Sequence, residues 1–267
     1  MYYTEFTQND ADVCMMQKDL GMLERWCDHW EMGLSIKKCK YMCFTRSIVS
    51  TATYKIKNYE LEQVDKHRYL GVNFSNNLKW NDHIDNIVAK ASKMLFFIRR
   101  NFKNTPRSVR QTLYFSFIRP ILEYACVIWD PPQCYLANKL ERIQNQALRF
   151  VTGDYSPYSS CTEMKNSLGW DLLKLRRKCL RLKFFHSIYH GETSIEKGLY
   201  ILEPHYVSSR RNHSKTAAEY RYRTDCFCYS FFFFVQTARE WNALPEELIA
   251  VINNDVFYDR LQRSVVE

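Results

Sequence analysis

Between Asn81 and Arg100, the apolar residues Ile84, Ile87, Val88, Ala91, Met94, Leu95 and Ile98 recur at helical spacing. Wound at roughly 100° per residue they fall within an arc of about 120°. A strand turns alternate residues to opposite faces, so this stripe excludes one and demands a long amphipathic helix. The period continues downstream. Ser108 to Trp129 reads as a second helix, kinked at Pro120 and ended by Pro131-Pro132. Tyr135 to Val151 carries Leu136, Leu140, Ile143, Ala147 and Phe150 at 4-3-4-3 spacing, and Leu172 to Tyr189 makes a fourth helix. Seven glycines in 267 residues, against an average near 7%, suit such a helical chain and disfavour glycine-rich phosphate cradles.

Upstream of this bundle the pattern is mixed. Asp10 to Trp30 is helical in period, with Asn9, Asp10 and Asp12 placed to cap its free N–H groups. Lys40–Thr45, Thr53–Leu61 and Val64–Phe74 read as strand segments of a small antiparallel element. After Gly191 the periodicity weakens, with short helices expected at Phe231–Glu240 and Val256–Arg263. The expected class is α+β and predominantly helical: a small antiparallel strand element followed by a basic helical bundle. The divisions expected are residues 1–75, 76–190 and 191–267.

The net charge of +9 is concentrated. Residues 86–190 hold 18 basic and 6 acidic side chains, while the flanking segments are each slightly acidic. Such a block is the electrostatic footprint of a polyanion-binding protein, unless the charges are merely solvated helix faces. On the wheel of the 81–100 helix, Lys93 and Arg100 lie opposite the apolar stripe, flanked by Phe96 and Phe97. Two phenylalanines among cations mean either a second buried contact or an aromatic–basic surface, where rings stack on bases and cations meet phosphate.

Other chemistry is disfavoured. Of the ten cysteines only Cys39/Cys43 and Cys226/Cys228 are close pairs, and neither has a second pair at a finger-like distance. His186 and His190 are four apart on one helix, but no third ligand lies nearby in sequence, so no metal site is expected. The N-terminus lacks the basic start and apolar core of a signal peptide, and no apolar run approaches the roughly 18 residues of a membrane span. The expectation is an intracellular protein, nuclear or cytoplasmic, with reduced thiols.

The order of several motifs resembles the reverse transcriptase of non-LTR (LINE-type, jockey-like) retrotransposons. They are Asp19-Leu20-x5-Trp26-Cys27-x2-Trp30-x-Met32-x-Leu34-x3-Lys38-Cys39, then Tyr69-Leu-Gly-Val72, then Leu78-x-Trp80-x2-His83-Ile84. Tyr114-x-Ser116-x-Ile118-Arg-Pro-Ile-Leu-Glu-Tyr124, Val127-x-Trp129-x-Pro131, Leu140-Glu-Arg-Ile-Gln-Asn145 and Trp241-Asn-x-Leu-Pro245 follow. The resemblance implies the end of the palm, a primer-grip hairpin, a thumb and the C-terminal region of such an enzyme. Tyr69, Leu70 and Gly71 would grip the primer backbone, and Lys38 would be the family lysine that protonates departing pyrophosphate. The family's usual Asn before that lysine is Ser35 here.

The intact family holds Mg2+ on aspartates, the second motif being an aromatic-Ala-Asp-Asp turn. No adjacent Asp-Asp occurs in these 267 residues, and Asn9-Asp-Ala-Asp12 reads as a helix cap. Nucleotide addition needs two divalent ions held by carboxylates. The expectation is therefore a polymerase fragment inactive alone, with no catalytic residues of its own and no cofactor. Its partner would be an RNA or DNA primer–template, bound weakly and without sequence preference. The alternative is a nucleic-acid-binding module that uses the basic helices without chemistry.

Overall fold

The computed structural model describes residues 10–44, 53–204, 213–219 and 232–266, in two compact units, Met1–Lys79 and Trp80–Glu267. The molecule is α+β and predominantly helical, as expected. Asn9, Thr45 and Phe231, to which three expected elements extend, lie outside the described residues.

The first unit begins with α1 (Asp10–His29). Its polar face is tied down by an amide that imitates a strand edge. Gln17 donates through Nε2 to the Lys55 carbonyl and accepts the Lys55 N–H, both at 2.9 Å. Two turns further on, Glu24 accepts the Lys57 N–H, and the Lys57 ammonium sits 2.6 Å from Asp28. Its apolar side is less well covered. Val13, Met16, Leu20 and Leu23 are half-buried, while Met15, Met22, Trp26 and Trp30 are exposed.

The strands are shorter than their sequence pattern suggests. Thr53–Leu61 is two strands, β2 (Lys55–Ile56) and β3 (Tyr59–Glu60), because Lys57 and Asn58 both take positive φ and close a tight hairpin. Val64–Phe74 is divided in the same way into β5 (Lys66–Tyr69) and β6 (Val72–Ser75) around Leu70-Gly71. Both hairpins are antiparallel. The third pair, β1 (Lys40–Tyr41) with β4 (Glu62–Gln63), is parallel and is an addition to the expected small antiparallel element. A tight turn joins only antiparallel strands, whereas β1 and β4 are connected through the intervening hairpin.

In the second unit, α2 (Asn81–Asn101) packs on α6 (Cys134–Thr152). The expected helix from Ser108 to Trp129 is instead four pieces: α3 (Arg107–Leu113), a π-turn (Tyr114–Ile118), α4 (Arg119–Glu123) and α5 (Cys126–Trp129). Pro120 has no N–H to donate, and its ring crowds the carbonyl four residues back, so the ladder widens just before it. The sharper break lies at Ala125, where φ is +52°. Trp129 secures that break by donating from Nε1 to the Tyr124 carbonyl at 2.8 Å.

Beyond α6 come α7 (Cys161–Leu168), α8 (Leu173–Tyr189) and α9 (Lys197–Tyr200). The chain closes with α10 (Phe232–Asn242), α11 (Glu246–Ile249) and α12 (Asn254–Val266). α8 is the central post. Leu182, Phe185 and Ile188 join Trp241, Ile249, Phe257 and Leu261 in one apolar cluster. The eight described cysteines are free, and burial pushes the Cys126 thiol up to about 12 and the Cys179 thiol to about 11. At neutral pH both are protonated packing groups. Among the described residues no helix is long and apolar enough to cross a membrane.

Candidate nucleic-acid interface

α2 presents two opposed faces. Ile84, Ile87, Ala91, Leu95 and Ile98 are buried, where Leu136, Leu140, Ile143 and Ala147 of α6 are buried too. On the far side Phe96 is 68% exposed and Phe97 57% exposed, with Lys93 and Arg100 exposed beside them. Of the two meanings open to these phenylalanines, a second buried contact is not made among the described residues. Cations in a last helical turn are favoured by the helix dipole, which accounts for Arg99 and Arg100 in structural terms. That argument does not reach Lys90 or Lys93, nor either phenylalanine.

The surrounding charge strengthens the contrast. No Asp or Glu lies between Asp85 and Glu123 in the sequence. Among the described residues Lys90, Lys93, Arg100, Lys103 and Arg107 form no ion pair, so their field is uncompensated.

The rest of the basic block does not share this character, which corrects the idea of one continuous basic footprint. On α8, Arg177 and Arg181 are buried, not solvent-facing. Arg177 Nε lies 2.6 Å from Asp130, and Arg181 is 2.9 Å from Asp130 and 2.7 Å from Glu240. Arg176 pairs with Glu123, Lys165 with Glu141, and Lys183 with Asp255. Burying an unpaired cation is costly, so the few carboxylates of the bundle are drawn inward to α8. What remains for solvent is mainly the α2 end and the segment that follows it.

The other expected site residues lie in the first unit. Tyr69, Leu70 and Gly71 form the β5–β6 turn, with Tyr69 paired to Val72, φ +44° at Leu70 and φ +87° at Gly71. Positive φ at both central positions is the type I′ geometry matched to strand twist, and it gives the glycine a local reason. Leu70 has no such excuse. It occupies a left-handed conformation that L side chains resist, and its side chain is 71% exposed. Lys38 is exposed at the end of a single 3₁₀ turn, Ile36–Lys38, held by its N–H to the Ser35 carbonyl at 2.9 Å.

Sequence reasoning missed one neighbour of the α2 face. The Tyr155 ring stands over Arg99, with the guanidinium carbon 5.4 Å from the ring centre. The signal was present in Gly153-Asp-Tyr-Ser-Pro-Tyr-Ser-Ser160, a turn-forming segment carrying two tyrosines.

His186 and His190 stand side by side with ring centres 4.4 Å apart, but His186 Nε2 is engaged with the Val251 carbonyl at 2.8 Å. Among the described residues no group of three or more His, Cys, Asp or Glu side chains is arranged to hold a metal ion.

Comparison with known proteins finds partial similarities. It is 25% identical over 143 residues to a probable RNA-directed DNA polymerase from transposon BS of Drosophila melanogaster, covering 51% of this chain. It is 26% identical over 132 residues, 48% of this chain, to that from the transposon X-element of the same species. With the RNA-directed DNA polymerase of the mobile element jockey from Drosophila funebris, identity is 24% over 143 residues, 52% of this chain. Over about half its length, this chain is similar to LINE-type reverse transcriptases. The matched stretches span only 16%, 14% and 15% of those three relatives' own lengths. No family model matches the chain, and no solved structure does.

Proposed function

We propose that this chain is the primer–template-gripping part of a LINE-type reverse transcriptase, without polymerase activity of its own. The observation that carries the proposal is the far face of α2, where Lys93, Phe96, Phe97 and Arg100 are exposed opposite the buried Ile84, Ile87, Ala91, Leu95 and Ile98. In this reading residues 1–75 are the palm remnant and primer-grip hairpin, with Tyr69, Leu70 and Gly71 at the primer backbone. Residues 76–190 are the thumb-like bundle that meets the nucleic acid, and residues 191–267 brace it through α8. Lys38 acts on pyrophosphate only where carboxylates and their divalent ions are supplied from elsewhere. A second reading, a nucleic-acid-binding module that acts without chemistry, is favoured by the separate compact core of Trp80–Glu267.

Both readings require contacts directed mainly to phosphate, weak and indifferent to sequence. Fluorescence anisotropy with labelled duplex at a series of salt concentrations tests them. Affinity is expected to fall steeply with salt as counterions are released. Replacing Lys93 and Arg100 together by Ala lowers affinity and reduces the salt slope by at most about two units, one per lost phosphate contact. An unchanged slope in the double variant removes this face from the interface.

A further inference from the structure

The α2 face does not end at the helix. Arg99 lies about 60° round the helix from Phe96, one turn further along, so the two are neighbours on the surface. Tyr155 covers Arg99, and three residues beyond it Tyr158 is 97% exposed. Both tyrosines stand on the segment 153–160, which joins α6 to α7 and is firmly held. Arg149 donates to the carbonyls of Asp154, Ser156 and Ser159 at 3.5, 2.8 and 3.2 Å. Asp154 accepts the Ser156 N–H at 2.9 Å, and bonds from Ser159 and Ser156 hold its carboxyl below the usual carboxylate range. Ser156 Oγ accepts the Tyr158 N–H at 3.3 Å. Here the backbone is held by hydrogen bonds while the Tyr155 ring lies over Arg99 of α2 and the Tyr158 ring, three residues on, faces solvent.

The chemistry of that arrangement selects its ligand. Bases inside a duplex are covered on both faces, so an aromatic ring finds no free surface there. An unpaired nucleotide offers a π-face to a ring and a phosphate to a cation, and this recognition tolerates any sequence. The one carboxylate on the segment, Asp154, is already engaged by backbone and hydroxyl donors and lies near Arg149. Phe96, Arg99, Tyr155 and Tyr158 thus combine stacking groups with positive charge.

We propose that Tyr155 and Tyr158, continuing from Phe96 and Arg99, form a stacking site for the unpaired nucleotides next to a duplex end. The proposal rests on the nucleic-acid reading of α2, and it adds a preference that phosphate contacts alone do not produce.

The test compares the full chain's affinity for a blunt labelled duplex with that for the same duplex bearing a short single-stranded extension. The extension is expected to tighten binding by about fivefold or more, as stacking on aromatic groups does. The Tyr155→Ala/Tyr158→Ala variant is expected to bind both probes as the wild type binds the blunt one. The Tyr155→Phe/Tyr158→Phe variant keeps the rings and is expected to keep the preference. Backbone bonds hold the loop, and both side chains are exposed, so the substitutions leave the fold intact. Three results overturn the site while leaving the α2 reading standing: equal wild-type affinity for the two probes, a preference surviving in the Ala variant, or its loss in the Phe variant. Failure of the wild type to bind either probe overturns both readings together.

Discussion

Asp130 holds two buried arginines at once, and nothing else among the described residues neutralises Arg177. Replacing it by Ala leaves Arg177 buried without a counter-charge and removes one of the two carboxylates that face Arg181, the other being Glu240. The expected cost is about 3 kcal/mol or more, read as a lower urea midpoint with an unchanged slope. Arg100→Ala, from the same stretch of basic sequence, is expected to change stability by no more than about 0.5 kcal/mol. Residue type does not distinguish these arginines; burial does. Leu70 poses the opposite case, an exposed leucine in a left-handed turn. Leu70→Asn places a residue that tolerates positive φ before Gly71 and is expected to stabilise the hairpin by about 1 kcal/mol. Urea denaturation of the full chain followed by a probe in the first unit reads this gain. If the turn grips a primer backbone, the same variant retains binding made through Gly71 and loses any contact made by the leucine itself.

At the scale of elements, α2 and α6 were legible in the sequence because each buries one face and wets the other. Their stripes of Ile84, Ile87, Ala91, Leu95 and Ile98, and of Leu136, Leu140, Ile143, Ala147 and Phe150, are the residues found buried. α8 was legible as a helix but not in its role. Arg177 and Arg181 are as buried as Leu182, Phe185 and Ile188, and Arg177 looks in sequence like Lys178 beside it. The breaks at Leu70-Gly71, Lys57-Asn58 and Ala125 depend on positive φ, which leucine, lysine and alanine do not announce.

α8 also carries a pH prediction. His186 donates from Nε2 to Val251 and stacks on Phe257, with ring centres 4.4 Å apart. Its Nδ1 is buried without a hydrogen-bond partner among the described residues. Burial, outweighing the bond to Val251 and the charge of Glu192, and aided by Lys215, lowers its pKa below the usual 6.5. His190 beside it is lowered as well, by burial first and then by His186. A histidine depressed in the folded state takes up its proton more readily when unfolded, so its stabilising contribution is complete above about pH 6.5 and declines below it. Thermal unfolding between pH 7.5 and pH 5 is expected to show a falling Tm. The fall should be smaller in His186→Asn, whose side chain does not titrate, even if that variant starts from a lower Tm.

For the whole molecule, charge and chemistry divide in a way that neither residue nor element reveals. The carboxylates of the bundle, Glu123, Asp130 and Glu141, face cations of α7 and α8, while among the described residues Lys90, Lys93 and Arg100 of α2 make no ion pair. A polymerase centre needs the reverse, acidic groups gathered at an accessible surface to hold two divalent ions. The sequence contains no adjacent Asp-Asp, and the described residues contain no cluster able to bind such an ion. Purified chain incubated with primed template, deoxynucleotides and either magnesium or manganese is therefore expected to extend no primer beyond a mock preparation. The same preparation is expected to shift the anisotropy of that primed template at low salt, which separates an inactive protein from an unfolded one. Metal-dependent extension would overturn the reading of an inactive chain and require a carboxylate site that the described residues do not show.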